Sequence, residues 1–179
     1  MKVLPALLFT LLLAVAVSAC KPVILEQQQA TATAFERSVI ELGKQSAEQS
    51  AMLFCNVDFK KGKEEYQKKV CAQATPMGCR ILSTQIDETW ESFKIAYPVP
   101  GLVCELLSSQ LLEESRQFGL AVQYWLVKLQ GKDGWPKNTP TREYWLQVAE
   151  ESGNWKLNRV MVLDEIRYYS VLEAAKVKG

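Results

Sequence analysis

The chain contains no histidine. That removes the commonest general base at neutral pH and the commonest metal ligand together. It also excludes serine–histidine–aspartate and cysteine–histidine catalytic arrangements. No two of the 5 cysteines form a Cys-x-x-Cys pair, so the usual spacings of zinc sites and redox dithiols are missing. There is no Gly-Lys-Ser phosphate loop, no His-Glu-x-x-His and no nucleophile elbow. Neither a metal nor another cofactor is expected, and no catalytic residue stands out. Charge of one sign is scarce as well: 21 Lys+Arg oppose 20 Asp+Glu, a net charge of +1. Nucleic acid, which demands a basic patch or stripe, is therefore not an expected partner. An apolar share of 48% beside 23% charged residues is the composition of a folded chain, and 179 residues hold one domain beside a targeting segment.

Long hydrophobic runs are missing too. After Met1-Lys2, the uncharged stretch from Val3 to Val17 is rich in Leu, Ala and Val. It falls short of the roughly 20 residues a membrane-spanning helix needs and suits the apolar region of an export signal. The stretch closes on Val17-Ser18-Ala19-Cys20, which resembles the bacterial lipobox; Val17 and Ala19 also suit an ordinary cleavage site. What the resemblance implies is a diacylglycerol thioether on Cys20, cleavage before it and acylation of the new amino group. Residues 1–19 are then the signal peptide, 20–30 the lipidated cysteine and a short tether, and 31–179 a single domain. Two or more acyl chains hold a protein stably to membrane, because each buried methylene contributes about 0.8 kcal/mol. Lys21, rather than Asp, follows the cysteine. The family's sorting rule then implies the outer membrane, with the domain facing the periplasm.

Lipidation of Cys20 leaves Cys55, Cys71, Cys79 and Cys104, an even set that suits two disulfides in an oxidising compartment. Three connectivities are open. The working choice is Cys71–Cys79 across Thr75-Pro76-Met77-Gly78, with Cys55–Cys104 tying the helices to the sheet.

Periodicity orders the rest. Phe35, Val39 and Leu42 mark an amphipathic helix that Gly43 ends or weakens. Ser46 and Gln49 read as a capping box at a new start, continued by Ala47, Ala51 and Phe54. Lys60 to Lys69 mixes both signs and reads as a solvated face, with Tyr66 and Val70 on a short helix. Thr75-Pro76-Met77-Gly78 is a turn signal, and Leu82, Ile86, Trp90 and Phe93 form a third helix that ends before Pro98. Tyr97-Pro98-Val99-Pro100-Gly101 is the sharpest boundary, beyond which the period changes. A strand from Phe118 to Leu129 is apolar on both faces, so the C-terminal helix, the first helix or another protein should cover the second one. A loop from Gly131 to Pro140, a strand around Tyr144, a Glu151-Ser152-Gly153-Asn154 turn and a strand from Trp155 follow. Asp164 can cap a short C-terminal helix carrying Ile166, Tyr169 and Leu172. The expected fold is α+β, with N-terminal helices packed on a curved, cone-like antiparallel sheet.

Helices first, then a hairpin ending in Glu150-Glu151-Ser152-Gly153-Asn154-Trp155-Lys156-Leu157-Asn158-Arg159-Val160, resembles the nuclear-transport-factor-two-like superfamily. The resemblance implies a cone in which helices and curved sheet enclose a pocket. Members include isomerases, dehydratases, secretion-system components and lipoproteins. The cysteine-bearing helical half and the helix after the last strand depart from the pattern.

Candidate pocket residues are Asp87, Trp90, Tyr124 and Tyr144. Isomerases of the resembled superfamily use a pocket carboxylate as base, and Asp87 lies closest to an apolar stripe, although a helix-surface carboxylate is ordinarily solvated. Trp90, Trp125, Trp145 and Trp155 could form an aromatic cage, but at helix and strand spacing core positions are expected, as for the two tyrosines. The expected function is a non-catalytic envelope lipoprotein that binds a protein partner, in a multiprotein assembly or as a homo-oligomer. The rival expectation is a small-molecule-binding or isomerase-like pocket.

Overall fold

The structure, a computed structural model, describes the backbone of residues 21–176 and the side chains of residues 36–172. The lipobox at Val17–Cys20 lies outside the described residues. Two compact units divide the chain, Met1–Glu41 and Leu42–Gly179.

The elements run α1 (Lys21–Cys55), β1 (Val57–Asp58), α2 (Gly62–Gln73), α3 (Pro76–Ala96), β2 (Gly101–Leu102), β3 (Cys104–Gln117), β4 (Leu120–Gly131), β5 (Arg142–Glu151), β6 (Asn154–Val160) and α4 (Leu163–Lys176). This is the expected α+β order, with a four-stranded antiparallel meander β3-β4-β5-β6 and a separate β1-β2 pair. Among the described residues no helix is long and apolar enough to cross a membrane.

Gly43 does not end the first helix, and Ser46 does not start another. α1 runs without interruption to Cys55. Gly43, Ala47, Ser50 and Ala51 form a seam of small buried residues at helical spacing. A Cβ at position 43 would overlap the side-chain amide of Gln123 on β4. The glycine is there for close approach to the sheet, which outweighs its poor helix propensity. The Thr75-Pro76-Met77-Gly78 signal is likewise a helix start more than a turn. Thr75 is the N-cap of α3, its Oγ1 accepts a hydrogen bond from the Gly78 amide at 3.0 Å, and Pro76 takes the first helical position. Gly78 lies so near β6 that a Cβ would come 2.6 Å from the Leu157 carbonyl oxygen.

The longest strand is β3, 14 residues that carry no clean alternation in Cys104–Gln117. Register shifts at Leu106/Ser108 and Leu111/Glu113 explain this, since each bulge inserts one residue and flips the side-chain phase. The bulges, with Glu105, Glu113 and Glu114, also blunt the β3 edge of the sheet. Phe118 belongs to no strand. Phe118 and Gly119, with φ of 51° and 83°, make the tight turn between β3 and β4, and Ser152 and Gly153, at 54° and 79°, make that between β5 and β6.

β4 is buried on both faces, from Val122 to Val127 without a break. One face carries Gln123, Trp125, Val127 and Leu129, opposite Val148 and Leu146 of β5, and meets α1 and α3. The other carries Val122, Tyr124 and Leu126 with Trp145 and Ala149, and α4 covers it through Tyr169 and the half-buried Ile166. α4 is thus the element that fills the place left open by the sequence. Two polar contacts hold it. Arg159 donates to both carboxylate oxygens of Glu165 at 2.5 Å, and Tyr169 donates to Glu113 at 2.6 Å. The guanidinium holds the Glu165 carboxyl below the usual carboxylate range.

Cys55 is bonded to Cys104, with Cα atoms 5.8 Å apart, and Cys71 to Cys79, 4.6 Å apart. The first ties the end of α1 to the start of β3, just behind the β1-β2 pair. The second closes the link from α2 to α3. Sequence separations of 49 and 8 make their contributions unequal. Loop-closure entropy assigns about 4 kcal/mol to the longer loop and about 2.5 kcal/mol to the shorter. Urea unfolding of Cys55→Ser/Cys104→Ser and of Cys71→Ser/Cys79→Ser is expected to show the larger loss in the first pair; the reverse order would show that strain or residual structure dominates over loop length.

Candidate functional site

A cavity of about 310 Å³ lies between the helices and the sheet. Phe54 of α1, Tyr66 of α2, Leu82, Gln85, Ile86, Thr89, Trp90 and Phe93 along successive turns of α3, and Tyr144 and Val160 of the sheet line it. The wall is mostly aromatic. Phe54 stacks on Tyr144 with centroids 6.0 Å apart, and Trp90 contacts both Tyr66 and Phe59 at 5.5 Å. The run continues through Phe93 and Tyr97 to Trp135, over whose ring the Arg142 guanidinium stands at 4.1 Å.

Of the four residues chosen from sequence, the structure brings Trp90 and Tyr144 together on this wall and leaves Asp87 and Tyr124 away from it. The buried stripe of α3 is Leu82, Ile86 and Trp90, and Asp87 stands one residue past it, rotated about 100° toward solvent. There it pairs with Lys63 at 2.8 Å and accepts from Gln67 at 2.9 Å. Hydrogen bonding and charge from Lys63 hold its carboxyl below the ordinary value, the opposite of what a general base needs. Tyr124 fails on strand parity. Tyr144 lies opposite Val127, on the helix-facing side, whereas Tyr124 lies opposite Gln147, on the α4 side. The Tyr124 hydroxyl accepts from Gln117 at 2.5 Å and from Gln147 at 2.8 Å, inside an amide network under α4.

The four tryptophans do not converge. Trp90 lines the cavity, Trp125 and Trp145 are buried on opposite faces of adjoining strands, and half-buried Trp155 stands at the β5–β6 hairpin. Trp135 carries no signal in the sequence, because it lies in a Gly- and Pro-rich loop without period. It is nonetheless 7% exposed, and Gly131 is held against its ring.

Chemically the cavity offers apolar surface, two tyrosine hydroxyls and the exposed Gln85 and Thr89. Its lining holds no carboxylate, thiol or amine. It can retain an apolar or weakly polar molecule but has no group to move a proton at neutral pH. The α3 wall is legible in the sequence through its apolar stripe. Tyr66 reads in sequence as part of a short helix, with nothing in a charged segment to aim it inward.

No family model and no curated protein matches the chain. The solved structure of a periplasmic fragment of TraM is similar over 70% of this chain and 95% of that one, with a TM-score of 0.44 and 8% identity. A likeness so slight carries no argument about function.

Burial raises the ionisation of Tyr66 and Tyr144 above the ordinary value of 10.0, with Arg142 partly opposing it at Tyr144. The fold favours their neutral form. Their contribution to stability is therefore present below about pH 10 and is lost as pH rises toward the raised folded values. Spectrophotometric titration is expected to show delayed phenolate formation that Tyr66→Phe and Tyr144→Phe remove, and ordinary titration of both rings would show the cavity wall to be open to water.

Proposed function

We propose that this chain is an exported cell-envelope lipoprotein, held to membrane through acylated Cys20, whose α+β domain binds a protein partner and performs no catalysis. The export signal and lipobox resemblance support the address, and so do two disulfides, which persist in oxidising compartments. A candidate cavity lined by no acid or base supports a binding role.

The observation that carries the partner reading is Phe118. It occupies a left-handed turn position at φ 51° and is fully exposed, at the tip of the long β3–β4 hairpin. A bulky side chain in that conformation costs roughly 1–2 kcal/mol relative to a residue suited to it. Asn-Gly is the favoured pair for such a turn. Phe118 therefore destabilises the hairpin and buries nothing within the domain. Backbone strain of this kind is concentrated at functional sites, and exposed aromatics are the common anchors of interfaces. With Leu120, 44% exposed beside it, the tip is an apolar knob that fits a pocket on a partner.

A second reading rests on the aromatic cavity, which would hold an apolar ligand against Tyr66 and Tyr144. Native mass spectrometry of protein extracted from its own membrane distinguishes it: an added small mass lost in a Trp90→Ala variant would favour the ligand over the partner.

For the main reading, Phe118→Asn is expected to raise unfolding stability by about 1 kcal/mol in urea while abolishing a discrete complex trapped by cross-linking in intact cells. A native protein that stays monomeric, or a complex indifferent to this substitution, would overturn it. Cys20→Ser is expected to abolish metabolic palmitate labelling and release the domain from membrane; label retained by this variant would refute the anchor.

A further inference from the structure

Two apolar features of the domain match one another: a knob that its own packing leaves in solvent and a cavity that its own side chains do not fill. Phe118 is fully exposed at the β3–β4 tip, with Leu120 exposed beside it. The aromatic cavity measures about 310 Å³. An apolar cavity of about 150 Å³ holds a single benzene ring, so the room beneath α3 takes the Phe118 ring together with part of Leu120. Within one copy the two stand apart. Tyr144 and Val160 of the cavity wall lie opposite Val127 and Leu146. Phe118 lies beyond the other end of β4, and the stretch from Leu120 to Val127 alone spans roughly 23 Å. Knob and pocket therefore meet only between molecules, head to tail.

The rim of the cavity suits a polypeptide better than a small hydrocarbon. β6 is the last strand of its sheet. Met161 donates to the Trp145 carbonyl at 2.8 Å, so Val160, one residue back, turns its own N–H and C=O away from β5. Val160 and the exposed amide of Gln85 thus set hydrogen-bonding groups beside an apolar wall. A hydrocarbon that covered them would leave them unpaired. The Phe118–Gly119 turn brings an aromatic ring together with peptide groups that lie beyond the last ladder pair, Gln117 with Leu120. Charge is complementary as well. Arg116 stands near the knob, and Glu88 adjoins Thr89 at the rim. Both are exposed, and neither has an ion-pair partner among the described residues.

We propose that the partner is a second copy of this chain: the Phe118 tip of one copy seats in the aromatic cavity of the next, against Tyr66 and Trp90, with Arg116 facing Glu88. This inference rests on the Phe118 reading above and names its partner. Knob and pocket recur on every copy, so the contact is heterologous and propagates as a ring or a chain. A single hairpin tip buries little area, which makes the association weak.

The test is sedimentation equilibrium of the full-length protein in detergent micelles. Reversible self-association with a Kd below about 1 mM is expected. Phe118→Asn removes the knob, and Thr89→Trp, at an exposed position, fills the mouth of the pocket. Gln85→Trp serves the same end if Thr89→Trp does not melt cooperatively. Each variant alone should associate about tenfold or more weakly, a loss of about 1.4 kcal/mol. Mixed in equal amounts, they should form a dimer and nothing larger, because the pocket of the first accepts the knob of the second. A native protein monomeric up to about 1 mM overturns the proposal, as do variants that associate like the native chain or a mixture that stays monomeric. If purified copies stay apart while Phe118→Asn still abolishes the complex in intact cells, the partner is a different protein; this inference then falls and the Phe118 reading stands.

Discussion

A strand with no solvent face constrains everything around it. From Val122 to Val127 every side chain of β4 is buried, so both faces of an antiparallel sheet that could have left one side wet must be roofed. α1 and α3 roof one face, and for α1 the seam that begins at Gly43 permits close approach. α4 roofs the other, and its attachment depends on ion pairing as well as on apolar burial. Double burial also forces two amides, Gln123 and Gln147, into dry positions, each 0% exposed. Both are satisfied. Gln123 donates to Glu114 at 2.7 Å and accepts from the Trp125 indole at 3.1 Å. Gln147 donates to Tyr124 and accepts from Asn158 at 2.7 Å and Arg159 at 3.1 Å. Buried amides left unpaired would cost about 1–3 kcal/mol each; paired, they specify one register of the sheet.

The same packing decides where function can reside. Roofing by aromatic side chains is imperfect, and the gap beneath α3 becomes the apolar cavity. The two tight hairpin turns reach the same φ signs with different residues. Ser152-Gly153 does so with a short side chain, whereas Phe118-Gly119 holds an aromatic ring in solvent. That contrast, between two turns of one geometry in one domain, makes Phe118 a marked position rather than a general feature of the fold.

Much of the architecture was legible in the chain, and the misreadings have physical causes. Leu82, Ile86 and Trp90 announced α3 because its buried stripe follows the helical period, and the Pro98–Gly101 break stood where two prolines and a glycine forbid helix. Cys104–Gln117 was silent because two bulges scramble its alternation. Gly43 misled because propensity describes a helix in water, while here the partner surface sets the choice. Asp87 and Tyr124 were misplaced for a common reason. An apolar neighbour in sequence says little about direction, and one residue turns a helical side chain by about 100° or sends a strand side chain to the other face.

The sequence by itself determined α3, the strands after Gly119, the C-terminal helix, the α+β order and the absence of histidine chemistry, because hydrophobic period, proline and composition act locally. It also carried the even set of four cysteines and the demand that β4 be covered twice. Only the tertiary structure decided that α4 supplies the second roof, that Cys55 meets Cys104 across 49 residues, and that Trp90 and Tyr144 share a wall while Asp87 faces water. Those outcomes depend on register, bulges and close helix approach. Each is a relation between residues distant in the chain, and no local period encodes it.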